Sequence, residues 1–166
     1  MKSGAPTGKD EERLRGLGAN EVIDYSKADF AELLSGYDVV LDSLGGKNLA
    51  KSLTVLKPGG LAISVVGPPD AAFAGQIGRP ILKPLMALMS HKVRARAKKL
   101  GVRYSFLFMR ADGAQLRKLA TLYDAGTLRP VIDRTFPFDE TLDAMAYVEQ
   151  GRAKGKVVLI MPSAAN

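Results

Sequence analysis

The stretch Tyr37–Lys47, YDVVLDSLGGK, closes an apolar run on Asp42 and then opens into Ser43, Leu44, Gly45 and Gly46. A strand that empties into glycines brings main chain close to a bound molecule, because no Cβ stands in the way. Three other segments have a similar form: Asp24–Tyr25 after EVI, Val65–Val66–Gly67 after LAIS, and Phe106–Met109 at the end of VRYSFLFM. Each reads as a strand exit, and open parallel sheets bind ligands beyond the carboxyl ends of their strands. Taken singly, Gly45–Gly46 and Gly59–Gly60 read as turn residues. Four exits together suggest a rim for one ligand.

Several other chemistries are missing. Gly16-Leu-Gly18 begins the spacing of a dinucleotide phosphate loop, but Glu21 stands where the third glycine belongs, and the stretch closes a helix instead of opening one. The Gly-Lys pairs are followed by Asp10, Asn48 and Val157, none of them the Ser or Thr that a P-loop uses for magnesium. No tyrosine has a lysine four residues on, and no G-x-S-x-G occurs. Cysteine is absent and His91 is the single histidine, which removes thiolate nucleophiles, disulfides and Cys/His metal clusters together. His91 receives no catalytic role, and Asp139 and Glu140 suit the N-terminal end of a helix.

The elements that must position these exits alternate along the chain. The 166 residues, 46% hydrophobic and 25% charged, suffice for one globular domain over 1–166. Asp10–Leu17 reads as a helix stopped by Gly18, Glu21–Asp24 as a short strand, and Lys27–Leu34 as a helix. Asp38–Leu41 reads as a strand buried on both faces because it does not alternate. A helix over Lys47–Leu56, closed by Pro58–Gly59–Gly60, leads to a strand over Leu61–Val66. A loop rich in glycine and proline runs to Pro80. A helix started or kinked at Pro84 follows, then a strand over Val102–Met109. Asp112 caps a helix that Gly126 stops. The tail holds PVIDRTF, a helix over Asp139–Glu149 and the strand KVVLIM. Strands alternating with helices predict an α/β fold on a mainly parallel sheet.

The net charge of +7 is concentrated in Arg79, Lys83, Lys92, Arg94, Arg96, Lys98, Lys99 and Arg103, with no acidic residue among them. The expected arrangement is a solvated basic face, with Leu85, Met86, Leu88, Met89, Val93 and Leu100 packed inward or against a partner. No aromatic residue interleaves with the charges as a single-strand nucleic-acid platform needs, so no nucleic-acid partner is expected. No segment reaches the length of a membrane span and no leader is evident, which fits a cytoplasmic protein.

The segments GANEVIDY, YDVVLDSLGG, LKPGGLAISVVG, YSFLFMRADG, AGTLRPVIDRTFPFDE and GRAKGKVVL occur in the order and spacing of one family. The chain resembles the medium-chain dehydrogenase/reductase superfamily, and within it the zinc-free, NADPH-dependent quinone oxidoreductase branch, from about Lys9 to Met161. The resemblance implies an NADP cofactor and no zinc. It implies Lys9 and Tyr25 at the 2′-phosphate and Ser43 and Leu44 on the adenosine side. Val66 and Gly67 would lie near the nicotinamide ribose, with Phe106, Leu107 and Phe108 offering backbone to the carboxamide. Arg152 or Lys154 would reach the phosphate end. Residues 129–166 would return to a catalytic domain, and a homodimer would form through the edge strand near Tyr104–Met109 or by strand exchange.

The sequence also departs from that pattern. It shows neither a substrate-binding barrel domain nor the first βα unit with its glycine-rich loop, so an incomplete Rossmann-like three-layer sandwich is expected. With the middle of the sheet gone, EVID must pair directly with DVVL or a second chain must fill the gap. No residue is assigned as acid or base, and NADPH binding by this chain alone is expected to be weak or absent. A non-catalytic oligomerisation or binding module of the same fold is the alternative. A methyltransferase is disfavoured, because Ser43-Leu44-Gly45-Gly46 lacks alternate glycines after Asp42.

Overall fold

The computed structural model describes residues 8–151 and 153–162, and of 8–10 the backbone alone. The chain divides into two compact units, one of residues up to Val22 together with those from Ala111 onward, the other Ile23–Arg110. The first unit begins with helix α1, Gly8–Gly16, which Glu11 and Arg15 reinforce one turn apart (3.0 Å). It ends where Gly18, at φ 99°, takes the left-handed turn the sequence predicts.

Residues 21–24 form no strand. Asp24 instead closes a tight turn, accepting from the Ser26 amide at 2.9 Å, while the Lys27 amide donates to the Asp24 carbonyl. Direct pairing of EVID with DVVL therefore does not occur. The next helix is also shorter than expected: α2 is Phe30–Leu33, started by the Asp29 side chain, which accepts from the Ala31 amide.

Three parallel strands in the order β1-β2-β3 build the second unit: β1 Tyr37–Asp42, β2 Leu56–Ser64 and β3 Arg103–Phe106. Between them run α3 Gly46–Ser52, α4 Ala71–Gln76, a 3-10 turn Pro80–Leu82, α5 Lys83–Met89 and α6 His91–Lys99. Leu53, Leu56, Ala62, Ala97 and Val102 form the core, with Val40, Val93 and Tyr104 packed against it. That packing covers one face of the sheet. On the other face Val39 and Leu41 are 53% and 66% exposed, so β1 is not buried on both faces as its unbroken apolar run suggests. Among the described residues β1 is an edge strand paired with β2 alone and has no second covering layer, which pattern alone does not supply.

Pro58–Gly59–Gly60 does not end a helix. It lies inside β2, where the register against β1 slips between Tyr37 and Val39. Gly59 has φ 81°, and a Cβ on Gly60 would come within 2.9 Å of the Lys57 carbonyl oxygen, so the irregularity requires glycine at both positions. The predicted loop before Pro80 holds α4, capped by Asp70. β3 is shorter than VRYSFLFM, because residues 107–109 leave the ladder.

The first unit continues with α7 Gly113–Asp124, β4 Ile132–Pro137, α8 Thr141–Glu149 and β5 Lys156–Ile160. Asp112 caps α7 as its position predicts, accepting from the Ala114 and Gln115 amides. β4 and β5 pair in parallel, and α8 adds Tyr147, whose hydroxyl donates to Asp133 at 2.7 Å. Every described pairing in both sheets is parallel. The α/β, Rossmann-like character expected of the sequence is what forms.

Candidate functional site

Three of the four predicted strand exits are joined by hydrogen bonds within the second unit. Asp42, the last residue of β1, is buried, and its carboxyl accepts from the Leu44 and Gly45 amides at 3.3 and 3.0 Å. Ser64, the last residue of β2, is fully buried, and its hydroxyl donates to Asp42 Oδ2 at 2.6 Å. The same Ser64 Oγ accepts from the Gly67 amide at 2.8 Å. Asp70, just beyond, accepts from the Phe106 amide at 3.1 Å with Oδ2 and caps α4 with Oδ1. Leu107 donates its amide to the Ser64 carbonyl at 2.9 Å. Thus Ser43–Leu44, Val66–Gly67 and Phe106–Leu107 leave their strands at one end of the sheet.

Tyr104 supports this end from below. Its hydroxyl donates to the Pro68 carbonyl at 2.7 Å, and burial, followed by the charges of Asp70 and Asp42, pushes its pKa up to about 12. Gly67 sits tightly in this frame: a Cβ there would lie 2.6 Å from Tyr104 Oη, 2.8 Å from Ser64 Oγ and 3.1 Å from Leu49 Cδ2. The glycine is required by space, not by an unusual φ. Gly45, at φ 68°, is required by backbone conformation instead.

The surface presented is mostly apolar. Leu44, Val66, Leu107 and Phe108 are each about half exposed or more, whereas the Phe106 ring is buried and meets Phe73 edge-on at 5.1 Å. The amides of Leu44, Gly45 and Gly67 are already engaged by Asp42 and Ser64. Main-chain donors of this kind are what cradle phosphates. Here they hold the frame together, so the rim suits flat apolar rings better than a diphosphate.

Tyr25 belongs to the same unit and is exposed in the turn that follows Asp24. Lys9 belongs to α1 and Lys154 precedes β5, both in the other unit, where the Lys154 carbonyl accepts from the Arg13 guanidinium. Arg152 lies outside the described residues. Sequence reading did not single out Ser64 or Asp70. A serine inside the apolar LAISVV and an aspartate before Ala71-Ala72-Phe73 were the available signals.

A family model described as "Zinc-binding dehydrogenase" matches residues 17–159. The chain belongs to this family. It holds a C-terminal portion of the medium-chain dehydrogenase/reductase fold. "NAD(P)H oxidoreductase RTN4IP1, mitochondrial" of Mus musculus is 38% identical over 156 residues, covering 89% of this chain and 38% of that protein. "2-methylene-furan-3-one reductase" of Solanum lycopersicum is 33% identical, covering 92% of this chain and 31% of its own length. The solved structure of the quinone oxidoreductase from Coxiella burnetii superposes with a TM-score of 0.69 at 25% identity, over 92% of this chain and 42% of that one. The chain thus spans less than half the length of these relatives. The first of these names supports a nicotinamide cofactor in the family. The metal in the family's description has no counterpart in the donor set: cysteine is absent, histidine occurs once, and among the described residues no three His, Asp or Glu side chains gather. The residues present do not fit a zinc site.

Proposed function

We propose that this chain is the cofactor-domain part of an NADPH-dependent oxidoreductase acting on quinones, enones or related carbonyl compounds. The observation that carries the reading is the Asp42–Ser64–Gly67 and Asp70–Phe106 bonding, which gathers three strand exits into one rim with exposed apolar side chains. In this reading Ser43 and Leu44 border the adenosine, and Val66 and Gly67 border the nicotinamide ribose. Main chain at Phe106, Leu107 and Phe108 meets the carboxamide, and Tyr25 borders the ribose that carries a 2′-phosphate. When bound, the cofactor supplies the hydride, and the protein positions the ring that carries it. No side chain of this rim is offered as acid or base.

Because the rim amides are engaged internally, binding of NADPH by this chain alone should be weak. Amide chemical-shift mapping with millimolar NADPH tests the reading. Perturbations should cluster at residues 43–45, 66–67 and 106–108 and be larger than those given by NADH. Perturbations elsewhere, or none, would remove the proposed site, and a sub-micromolar dissociation constant would overturn the expectation of weak binding.

A second reading is a homodimeric module without catalysis, favoured by the open outer edge of β3 and by Met109, 87% exposed. Asp70 already occupies the outward amide of Phe106, so added pairing would be confined to Tyr104 or to residues beyond Leu107. A concentration-independent monomer in sedimentation equilibrium would eliminate this reading.

A further inference from the structure

Of the two arrangements the sequence allows for the apolar residues of α5 and α6, inward or against a partner, inward packing takes up only a part. Only Met86, Ser90 and Ala97 are buried, with Val93 partly so, whereas Leu85, Leu88 and Met89 are 54%, 73% and 53% exposed. The break between the helices is slight. Ser90 still donates its amide to the Met86 carbonyl, and Arg94 donates to the Ser90 carbonyl. Helical phase is therefore kept, and Met86, Ser90, Val93 and Ala97 form one inner stripe at spacings of four, three and four. The same counting puts Leu85, Leu88, Met89, Lys92, Arg96 and Lys99 on one outer stripe. It is apolar in its first half and cationic in its second.

Between Arg79 and Arg103 the chain has no carboxylate, and among the described ion pairs none involves a cation of α6. Lys92, Arg96 and Lys99, with His91 and Ala95, line an open groove on this face. Ile81, in the turn before α5, is 84% exposed and extends the apolar half. Aliphatic side chains followed by unpaired cations on one helical face are the chemistry of a helix lying in the plane of an anionic bilayer, the former entering the acyl boundary and the latter meeting headgroups. Neither helix is long enough to cross a membrane. A nucleic-acid surface fits less well, because no Phe, Tyr or Trp occurs between Phe73 and Tyr104 to stack on bases, and the aliphatic half would stay in water.

We propose that the outer face of α5 and α6 docks the protein on the surface of membranes rich in anionic phospholipid. Sedimentation of the 166-residue chain with sucrose-loaded vesicles tests this. Vesicles of phosphatidylcholine mixed with phosphatidylserine should bind the chain, pure phosphatidylcholine vesicles should bind it poorly, and added salt should weaken the first. Replacing Lys92, Arg96 and Lys99 together by Gln should lower the partition coefficient on the order of a hundredfold. Leu88→Ser with Met89→Ser should lower it about tenfold. All these side chains are exposed, and an unchanged unfolding midpoint confirms that the variants fold. The vesicle comparison on the unaltered chain stands regardless of them. Equal binding to both vesicle types, no binding to either, or an undiminished Gln variant would overturn the proposal. So would tight binding of a single-stranded oligonucleotide that Leu88→Ser and Met89→Ser leave unchanged, which would assign the face to nucleic acid.

Discussion

Ser64 donates its hydroxyl hydrogen to Asp42 at 2.6 Å while accepting the Gly67 amide at 2.8 Å, so one buried side chain links the ends of two strands to the loop beyond them. Removing it unpairs the half-buried Gly67 amide and takes one donor from a buried carboxyl, and unmade bonds of this kind cost about 1–3 kcal/mol when fully buried. Ser64→Ala should therefore lower the chain's unfolding free energy by roughly that amount in urea denaturation. It should also broaden or shift the amide resonances of Val66 and Gly67. An unaltered midpoint would show that the linkage contributes nothing to stability.

Gly67 leaves no room for a methyl group against Tyr104 Oη, Ser64 Oγ and Leu49 Cδ2. Gly67→Ala should destabilise by about 1–3 kcal/mol through overpacking. Tyr104→Phe removes the nearest clashing atom, so the alanine should cost less in that background than in the unaltered chain. The coupling is read from a double-mutant cycle of unfolding free energies. Additive costs would mean that the clash is relieved elsewhere.

Much of this frame was legible in the sequence. The strand exits at Ser43, Gly67 and Phe106 follow from apolar runs ending in glycine or polar residues, and Asp112 and Gly18 announce helix ends locally. What failed was whatever depended on absent neighbours. The Glu21–Asp24 segment has strand composition but pairs with no strand among the described residues, and a strand is only as stable as its ladder. Val39 and Leu41 read as doubly buried because hydrophobic pattern reports what a residue would bury, not whether a covering layer is there. Leu85, Leu88 and Met89 do not pack inward, which leaves the packing against a partner that their pattern equally allows.

Asp70 uses one oxygen for the Ala72 and Phe73 amides and the other for the Phe106 amide. Asparagine has a single carbonyl oxygen and can serve only one side. Asp70→Asn should thus either uncap α4 or unpair Phe106, and Asp70→Ala should do both. Loss of a cap costs about 1 kcal/mol, and a buried unpaired amide about 1–3 more. Hydrogen exchange at Phe106 and at Ala72 separates the outcomes, because the Phe73 amide also donates to the Asp70 carbonyl. Both amides should be unprotected in the alanine variant and one of them in the asparagine variant, and full protection of both in Asp70→Ala would contradict the assignment.

Tyr104 supplies a pH signature for the same frame. Its folded pKa is raised to about 12 by burial and by the Asp70 and Asp42 charges, above the ordinary value of 10.0. A tyrosine in the unfolded chain therefore loses its proton first as pH rises, and the unfolded state binds fewer protons than the native state in that range. Stability from this group is fully present below pH 10 and falls as pH climbs toward 12. Other tyrosines and the lysines titrate in the same window, so the quantity to measure is the difference in unfolding free energy between the unaltered chain and Tyr104→Phe. At pH 9 the variant should be less stable, lacking the bond to the Pro68 carbonyl, which contributes about 0.5–1.5 kcal/mol. Between pH 10 and pH 12 the gap should narrow, because only the unaltered chain has that proton to lose. A gap that stays constant or widens would place the hydroxyl in solvent, outside the frame that joins the strand exits.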